Sequence, residues 1–537
     1  MAVVIVDAVV VGAGHNGLVA ANLLADAGWS VVVLEATDAP GGAVRSEPMN
    51  VPGFSRDRCS AFYPFAAASR PLAVLDLHEY GLRWRHAPHV LAHLLPDDRA
   101  AVLSRDVAAT AASVDAFAPG DGEAWQALSD EWDAIADGLL DMLFTPFPPV
   151  RPGLALLRRL RTAGAVRLAR RLALPVDVFC AERFRGEGAA ALLAGCALHT
   201  DLAPQEPGSA VFGWLLTMVG QRQGFPVAVG GAQAITDALV ARLAKGGGAV
   251  VTDAPVAQVD VAGGRATGVT LADGRRFGAR RAVVADTPAP TLYRHLVGER
   301  HLPAQFVADL AEFHWDTGTL KIDWALSGPV PWRNPAVSGA GTVHFDLDLN
   351  GMIDYSSRLR QDRVPDRPLL VAGQMTTSDP SRSPAGTESL WAYTHLPHAR
   401  DWTPEQIDAQ VERVEQVFAD HAPGFRSLVL DRVVTGPAEL AQENPSLVGG
   451  AINGGTAAIY QQLFFRPVPN LSRADTPIDR LYLGSASAHP GGGVHGGPGA
   501  NAARAALARD RALAGSVYRV AIGAAQRALY RKSVIGS

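Results

Sequence analysis

Residues 9–35, VVVGAGHNGLVAANLLADAGWSVVVLE, place a glycine-rich turn between two stretches of β-branched residues. A continuous valine run is typical of a strand buried in a parallel sheet, and the alanine- and leucine-rich stretch after the turn is typical of a helix. Gly12, Gly14 and Gly17 give the turn the spacing G-x-G-x-x-G. These glycines permit a tight turn, close approach of a pyrophosphate and close packing of the helix on the strand. The pattern therefore predicts a dinucleotide-binding unit.

The acid at the end of the second stretch restricts which dinucleotide this unit binds. Glu35 follows Gly17 at nearly the spacing, roughly 20 residues, that is expected of the acid that binds the adenosine ribose. A carboxylate at that place repels a 2′-phosphate, so the sequence disfavours an NADP-type ligand.

A second glycine pair follows in the stretch ATDAPGGAVRS. Gly41 and Gly42 expose backbone N–H groups, and Arg45 is close enough in sequence to meet a phosphate. After a nucleotide-binding unit, this pattern favours a second phosphate contact. An ordinary surface turn is the alternative.

Composition excludes several classes of protein. The 537 residues are 48% hydrophobic and 19% charged, which is enough for a large core in two or more domains. The net charge of −5 gives no basic excess, so we predict no nucleic-acid partner. The three cysteines form no C-x-x-C pair, which argues against a disulfide framework and a redox-active dithiol. With no basic leader and no run of about 18 apolar residues, we expect a cytoplasmic protein.

The middle of the chain is predicted to contain helices first and strands afterwards. Residues 106–223 are helix-rich, and residues 249–286 alternate around GG and DG turns, which is typical of a small antiparallel ribbon. The segment 389–396, SLWAYTHL, alternates in a way that predicts a strand with one face in water. A capping box and an apolar stripe predict a helix over residues 403–418.

A third glycine-rich loop lies near the end of the chain, in residues 480–507. A short strand leads into it, an alanine-rich helix follows it, and Gly491, Gly493 and Gly496 repeat the G-x-G-x-x-G spacing. No second strand ending in an acid follows, so a separate nicotinamide site is not indicated. The N-terminus of a helix stabilises an anion, such as the electron-rich end of a reduced flavin. The alternative is that these glycines only allow the backbone of the loop to pack tightly.

With these features the chain resembles the phytoene desaturase-like flavoproteins. The motifs GAGHNGL at 12–18, YQQLFFRP at 460–467 and GSASAHPGGGVHG at 484–496 are most similar to the group of pyridine nucleotide-disulfide oxidoreductase domain-containing protein 2. The resemblance covers nearly the whole chain, least clearly at about 140–200. The group's name invokes a disulfide reductase, but this chain lacks the cysteine pair for that reaction.

The resemblance implies one extended FAD. It places the pyrophosphate at the first glycine loop, the adenosine ribose at Glu35, the adenine near Val256 and the flavin ring at the C-terminal loop. The family often has G-A-G before A-H-P, whereas this chain has Gly484-Ser485-Ala486-Ser487, which leaves the polar contact of Ser485 open. The predicted cofactor-binding residues are Gly12, Ala13, Gly14, Asn16, Gly17, Glu35, Ala36, Gly42, Arg45, Val256, Gly484, Ser485, Gly493, Val494 and Gly496.

The fold class that follows is α/β. We expect a Rossmann-like FAD-binding domain with a parallel sheet, and a substrate domain with a mixed or antiparallel sheet and a helical lid. The FAD-binding domain is predicted from three pieces, 1–75, 225–290 and 470–537. The substrate domain takes residues 76–224 and 291–469, with a helical subdomain at about 106–223.

The predicted function is FAD-dependent dehydrogenation or oxidation of a mostly apolar substrate, with hydride transfer to flavin N5 and electrons leaving to oxygen or a quinone. A flavin-containing regulatory or interaction protein without turnover and a reduced-flavin polyene isomerase are the alternatives. His489 and His495 are candidate acid–base residues, because histidine titrates near neutrality, although both also suit hydrogen bonds to loop backbone. Arg466 is a candidate for binding a substrate carboxylate or a flavin edge, with a structural ion pair as the alternative. We predict no metal ligands, and the sequence does not indicate the oligomeric state.

One segment suggests contact with a membrane surface. Residues 154–174, LALLRRLRTAGAVRLARRLAL, place six arginines among leucines, as in a basic amphipathic helix that lies on anionic lipid. A domain helix with a solvated basic face is the alternative. The basic, apolar stretch at 516–535 allows the same two readings.

Overall fold

This computed structural model describes residues 3–398 and 400–531. The ends of the first and last predicted pieces of the FAD-binding domain, residues 1–2 and 532–537, lie outside the described residues, as does the end of the stretch 516–535.

The strands in these ranges are β1 Val4–Val11, β2 Val31–Leu34, β3 Ser46–Pro48, β4 Ser55–Asp57, β5 Trp84–Arg85, β6 His89–Leu94, β7 Ala100–Leu103, β8 Val227–Ala228, β9 Ala249–Val251, β10 Val256–Ala262, β11 Arg265–Leu271, β12 Arg276–Ala285, β13 Gly318–Leu326, β14 Ala340–Phe345, β15 Leu370–Gln374, β16 Glu388–Leu396, β17 Val429–Thr435 and β18 Leu481–Leu483.

The α-helices in the same ranges are α1 His15–Asp26, α2 Pro64–Ala68, α3 Arg70–Ala73, α4 Val107–Asp115, α5 Asp121–Leu143, α6 Val150–Ala173, α7 Val176–Ala181, α8 Glu187–Ala197, α9 Ser209–Gln223, α10 Gln233–Lys245, α11 Ala304–Ala311, α12 Leu349–Arg360, α13 Met375–Ser378, α14 Pro404–His421, α15 Phe425–Leu428, α16 Pro437–Glu443, α17 Gly497–Asp510 and α18 Ala512–Leu529.

The first sheet has a parallel centre. Its strands run in the order β9–β2–β1–β12, and β18 lies beside the C-terminal part of β12. Val9 of β1 pairs with Val32 on one side and with Val283 on the other. The N-terminal part of β12 also pairs with β11, which pairs with β10 as the predicted antiparallel ribbon. The carboxyl ends of the five parallel strands therefore meet at one edge, where β1 enters the first glycine loop.

Both faces of this sheet are covered, as the valine runs predict. Helices α1, α10 and α17 pack on one face, against the side chains of Val10 and Val33. On the other face, Val9 and Val32 belong to a core formed with the ribbon and with residues 289–310. The four residues of β2 are all buried, and so are the last five of β1. This burial holds the loops at the strand ends in place.

The second sheet is mixed. Its order is β17–β13–β16–β15–β14–β6–β7, and neighbouring strands are antiparallel except β14 and β6. Helix α14 packs on one face through Val411, Val414 and Phe418. This helix confirms the prediction for 403–418, including the capping box between Thr403 and Gln406.

The prediction of a wet face on SLWAYTHL is wrong. Of the nine residues of β16, only Tyr393 is not fully buried. Leu390 and Ala392 face the core under α14, whereas Trp391 and Tyr393 face an internal cavity. The alternation in sequence therefore separates a packed face from a face that lines a cavity, and neither lies on the outer surface.

Helices α4 to α9 occupy residues 107–223, beside β6 and β7. Within this group, α6 is the most exposed: Leu156 is its one buried residue. In the described ranges, no helix combines the length and the apolar character that crossing a bilayer requires.

Candidate functional site

The first glycine loop connects β1 to α1 at the carboxyl edge of the parallel sheet. Gly12 has a φ of +93°, a left-handed backbone that side chains disfavour. A Cβ on Gly14 would lie 2.5 Å from the Asp286 carboxylate, and a Cβ on Gly17 would overlap the Gly12 carbonyl oxygen. Gly14 is also the residue before α1 and offers no side-chain cap. The N–H groups of His15 and Asn16 are thus not capped by a side chain, whereas the N–H of Gly17 is donated to Asp286.

Glu35 lies beside this loop, at the end of β2. One carboxylate oxygen accepts the Ala13 N–H at 2.8 Å, and the other accepts the N–H and the hydroxyl of Thr37, each at 2.9 Å. The carboxylate is therefore fixed in orientation and still lines the cavity.

The second glycine loop packs directly on the first. The Gly41 N–H donates to the Ala13 carbonyl at 2.9 Å, and Gly42 has a φ of +56°. The Arg45 side chain is mostly buried and reaches Asp38 at 3.3 Å. The loop thus brings Gly42 and Arg45 to the start of α1.

The C-terminal glycine loop also lies against the start of α1. Gly496 has a left-handed backbone and precedes α17. A Cβ on Gly499 would overlap the Asn16 carbonyl oxygen, so α17 packs closely against the start of α1. The His15 Nε2 atom lies 3.1 Å from the Gly493 carbonyl oxygen. The first and the C-terminal glycine loops are therefore in direct contact where both line the cavity.

A single cavity of about 460 Å³ extends from these loops to the second sheet. Its walls at the loop end include most of the predicted cofactor-binding residues, namely Gly12, Gly14, Asn16, Glu35, Ala36, Gly42, Arg45, Val256, Ser485, Gly493 and Val494. Its walls at the other end include Phe62, His199, Leu216, Phe225, Thr319, Lys321, Thr342, Trp391 and Tyr393.

The remaining predicted cofactor residues support the loops from behind. A Cβ on Gly484 would make tight contacts with Val284 at 3.1 Å and with Ala502 of α17 at 3.3 Å. Of the predicted cofactor-binding residues, four do not line the cavity: Ala13, Gly17, Gly484 and Gly496.

The cavity walls carry buried polar atoms that lack a protein partner. Such atoms cost free energy unless a ligand or water satisfies them. Among the described residues that line the cavity, these atoms are Asn16 Oδ1, Thr287 Oγ1, Thr319 Oγ1, Thr342 Oγ1 and Asn453 Nδ2. The cavity has glycine loops at one end and unsatisfied polar atoms along its length. These features fit a long ligand with polar groups along its chain, such as FAD.

The acid–base role predicted for two histidines is not supported. The Nδ1 atom of His495 accepts the Gly497 N–H at 3.0 Å, and its Nε2 atom faces the Gly492 carbonyl oxygen at 3.2 Å. Burial lowers the pKa of His495 to about 3 and the pKa of His489 to about 4. Neither residue lines the cavity, so both are corrected to loop-packing residues.

Arg466 is also corrected. Its guanidinium is buried and donates to the carbonyl oxygens of Asn453, Thr456 and Ala486, at 3.0, 2.9 and 2.7 Å. It does not line the cavity. The alternative of a structural ion pair is wrong as well, because its partners are backbone carbonyls. Arg466 holds the loop at 453–456 against the C-terminal glycine loop.

The sequence analysis missed the polar residues on the second sheet. Lys321 of β13 pairs in register with Tyr393 of β16. The Lys321 ammonium is buried, donates to the Asp323 carboxylate and to the Asp57 carbonyl oxygen, and lies 6.0 Å from the ring of Trp391. Trp391 and Tyr393 stack with ring centroids 5.9 Å apart. The alternation of TLKID and LWAYT predicts which residues share a face, but not that this face lines a cavity.

Asp286 was missed as well. It follows β12, and its Oδ2 atom accepts the Gly17 N–H at 2.8 Å. The AVVAD ending of the strand becomes a signal only once β12 is known to lie parallel to β1, because an acid at the carboxyl end of such a strand lies near the first glycine loop.

Comparison with known proteins agrees with this geometry. A family model described as flavin containing amine oxidoreductase matches residues 17–507. The chain is 28% identical to pyridine nucleotide-disulfide oxidoreductase domain-containing protein 2 of Mus musculus, over 93% of this chain and 92% of that protein. It is 24% identical to the neurosporene-forming phytoene desaturase of Rhodobacter capsulatus, over 91% of each chain. A crystal structure of an oxidoreductase from Methanosarcina mazei superposes with a TM-score of 0.61 at 17% identity, covering 93% of this chain and 99% of that chain.

These findings confirm the predicted resemblance, the α/β fold class and FAD as the cofactor. The protein is an FAD-dependent oxidoreductase. Because the family model spans most of the sequence, the chain belongs to the flavin containing amine oxidoreductase family.

Proposed function

We propose that this enzyme dehydrogenates or oxidises a mostly apolar organic substrate by hydride transfer to flavin N5. The observation that carries the proposal is the apolar end of the cavity, which is lined by Phe62, Leu216, Phe225 and Trp391. Each Å² of apolar surface that a substrate buries there contributes about 25 cal/mol to its binding. Bound FAD supplies the hydride acceptor. The protein orients the substrate and excludes water.

The charges along the cavity support an apolar substrate over a cationic one. The lining carboxylates among the described residues are Glu35 and Asp286, at the loop end, and Glu443, which pairs with Arg56 at 3.5 Å and Arg58 at 3.7 Å. At the apolar end the charged group among the described lining residues is the Lys321 ammonium, which is paired with Asp323, so a cationic amine meets no unpaired carboxylate there.

The cofactor-binding roles are part of the proposal. The first loop and Asn16 would hold the pyrophosphate, with Gly42 and Arg45 beside it. Glu35 and Ala36 would hold the adenosine ribose, and Val256 would contact the adenine. Ser485, Gly493 and Val494 would line the flavin end. We also propose the domain division predicted above, in which the FAD-binding domain takes 1–75, 225–290 and 470–537.

The electron acceptor we propose is oxygen or a quinone. The sequence contains one complete strand–turn–helix–strand unit that ends in an acid, and because we assign this unit to FAD, a bound nicotinamide has no equivalent site.

Anaerobic reduction tests the reaction. The holoenzyme is mixed without oxygen with hydrocarbons identified by mass spectrometry of co-purified small molecules, and with a matched series of primary amines. Loss of the long-wavelength flavin absorbance with the hydrocarbon, together with a product that has lost two hydrogens, is the expected result. Reduction by the amines alone overturns the proposal. A shifted double bond without net reduction supports the isomerase, and a flavin that no compound reduces supports the regulatory protein.

We also propose peripheral contact with anionic lipid through α6 and the loop 459–465. In the described part of the chain, Arg158, Arg159 and Arg167 are exposed and take part in no ion pair. Leu157 and Val166 of α6 are 52% and 65% exposed. The loop adds Ile459, Tyr460, Leu463, Phe464 and Phe465, each at least 46% exposed. Exposed apolar side chains among unpaired arginines suit the surface of an anionic bilayer.

Vesicle sedimentation tests the membrane contact. We expect the holoenzyme to sediment with phosphatidylserine-containing vesicles, and less with pure phosphatidylcholine. Leu157→Ser with Val166→Ser reduces sedimentation, whereas Leu430→Ser, on the exposed strand β17, leaves it unchanged. Equal sedimentation of all three proteins, or none with either vesicle, contradicts the proposal.

A further inference from the structure

Asp286 lies where an anionic ligand of the first glycine loop would bind. It follows β12 and lines the cavity. Its Oδ2 atom accepts the Gly17 N–H, in the first turn of α1, at 2.8 Å, and lies 2.5 Å from the position of a Cβ on Gly14. The carboxyl therefore occupies the start of α1, the place at which a glycine loop of this type holds a diphosphate.

Two anions at one helix start repel each other. The positive end of the α1 dipole amounts to about half a charge, whereas the diphosphate of FAD and an ionised Asp286 together carry several negative charges. The other charged groups that face this point compensate only in part. Glu35 adds a further carboxylate, and the single cation Arg45 is shared with Asp38 at 3.3 Å. Burial lowers the pKa of His15 to about 4, which leaves it neutral at pH 7.

We propose that Asp286 binds the FAD diphosphate as a neutral carboxylic acid. One oxygen accepts the Gly17 N–H, and the protonated oxygen donates a hydrogen bond to the diphosphate. An ionised Asp286 can only accept hydrogen bonds and repels the diphosphate, so FAD binding above neutral pH requires the uptake of one proton. The inference rests on FAD occupying this cavity, as in the proposed function.

The surroundings of Asp286 agree with a proton at this site. Burial, and to a smaller extent the nearby charge of Glu35, outweigh the hydrogen bonds from Gly17 and Asn16 and together raise the pKa of Asp286 to about 7. A bound diphosphate adds negative charge and moves the pKa higher still. At pH values between the pKa of Asp286 in the free protein and its pKa in the FAD complex, FAD affinity is therefore expected to fall as the pH rises.

The test measures FAD dissociation, not turnover. The holoenzyme is diluted between pH 6 and pH 9, and released FAD is followed by its fluorescence. The wild-type Kd is expected to be nearly constant up to about pH 7 and then to rise about tenfold per pH unit, as linkage to one proton requires. Asp286→Asn keeps an acceptor for Gly17 and a donor for the diphosphate without an ionisable group, so its Kd stays constant over the whole range.

Asp237→Asn is the matched control, because it makes the same chemical change at an exposed position on α10. It is expected to retain the wild-type pH dependence. A wild-type Kd that is constant from pH 7 to pH 9, or a dependence that survives in Asp286→Asn, overturns the inference.

A second measurement uses only wild-type protein, so its result does not depend on whether a variant folds. Calorimetry of FAD binding to wild-type protein in two buffers of different ionisation enthalpy gives the number of protons taken up. About one proton per FAD at pH 8.5 supports the inference, and none overturns it. Protein that binds FAD without proton uptake leaves the proposed function intact, whereas protein that binds no FAD at all contradicts both.

Discussion

The Nε2 atom of His15 lies 3.1 Å from the carbonyl oxygen of Gly493, and this contact joins glycine loops that are 478 positions apart in sequence. A carbonyl oxygen can only accept, so Nε2 carries the hydrogen and donates it. The ring spans from the start of α1 to the loop before α17. It fixes the distance between the two walls of the cavity at the cofactor end.

Removal of this hydrogen bond should weaken FAD binding. A neutral hydrogen bond contributes about 1 kcal/mol, which corresponds to roughly a fivefold change in Kd. His15→Ala is therefore expected to raise the FAD Kd by about that factor at pH 7, as measured by the fluorescence of released flavin. His78→Ala, at an exposed position away from the cavity, serves as the control. An unchanged Kd for His15→Ala would show that the contact does not position the loops.

Gly499→Ala should destabilise the protein. The added Cβ would overlap the Asn16 carbonyl oxygen and force α17 away from α1. Overpacking of this kind costs about 1–3 kcal/mol, more than the better helix propensity of alanine returns. The measurement is the urea midpoint of unfolding, together with the FAD content of the purified protein. Gly153→Ala of α6, where a Cβ meets no atom within 4 Å, should leave both unchanged or raise the midpoint slightly.

Loss of the buried ion pair between Arg382 and Asp57 should destabilise the protein more than loss of an exposed ion pair. Its N–O distance is 2.9 Å, and neither side chain is more than 1% exposed. Arg382→Met leaves the Asp57 carboxylate buried without its cation, which costs about 3–5 kcal/mol of unfolding free energy. Arg99→Met removes an exposed pair with Glu187 and should cost less than about 1 kcal/mol. Similar losses from the two variants in urea unfolding would contradict this ranking.

His421 should make stability depend on pH. Burial opposes its charged form, but hydrogen bonds to Asp346 and Asp98, with Nδ1 2.7 Å from the Asp98 carboxylate, raise its pKa overall. A group whose pKa is higher in the folded than in the unfolded protein stabilises the fold when it is protonated. For His421 this stabilisation is complete below its unfolded-state pKa of about 6.5 and is lost as the pH rises through its folded-state pKa.

The corresponding measurement is urea unfolding of wild type and His421→Gln at pH 6 and pH 9. The stability advantage of the wild type should be larger at pH 6 and shrink at pH 9. An advantage that is equal at both pH values, or larger at pH 9, would show that His421 does not gain its proton affinity on folding.

Those parts of the site that depend on local sequence were predictable. The valine runs, the glycine spacing and Glu35 are consecutive in the chain, and backbone geometry alone relates them. The two later glycine loops were also recognisable, because each combines a turn that needs glycine with an adjacent strand or helix. Eleven of the residues predicted in this way line one cavity.

The rest depends on contacts between distant segments. Asp286 reaches the first loop because β12 pairs with β1, and Lys321 meets Trp391 because β13 pairs with β16. Neither pairing can be read from the sequence spacing. The same limit explains the errors at His495 and Arg466. Their residue types suit proton transfer and anion binding, but the backbone that surrounds them already satisfies their nitrogens.

The contact of α17 with the start of α1 also bears on how the enzyme is made. A ribosome synthesises α1 long before α17, so until residues 497–510 are made a growing chain lacks the helix that packs against the start of α1. We therefore expect nascent chains that stop before residue 497 to emerge without FAD, and the cofactor to enter only after α17 has been made.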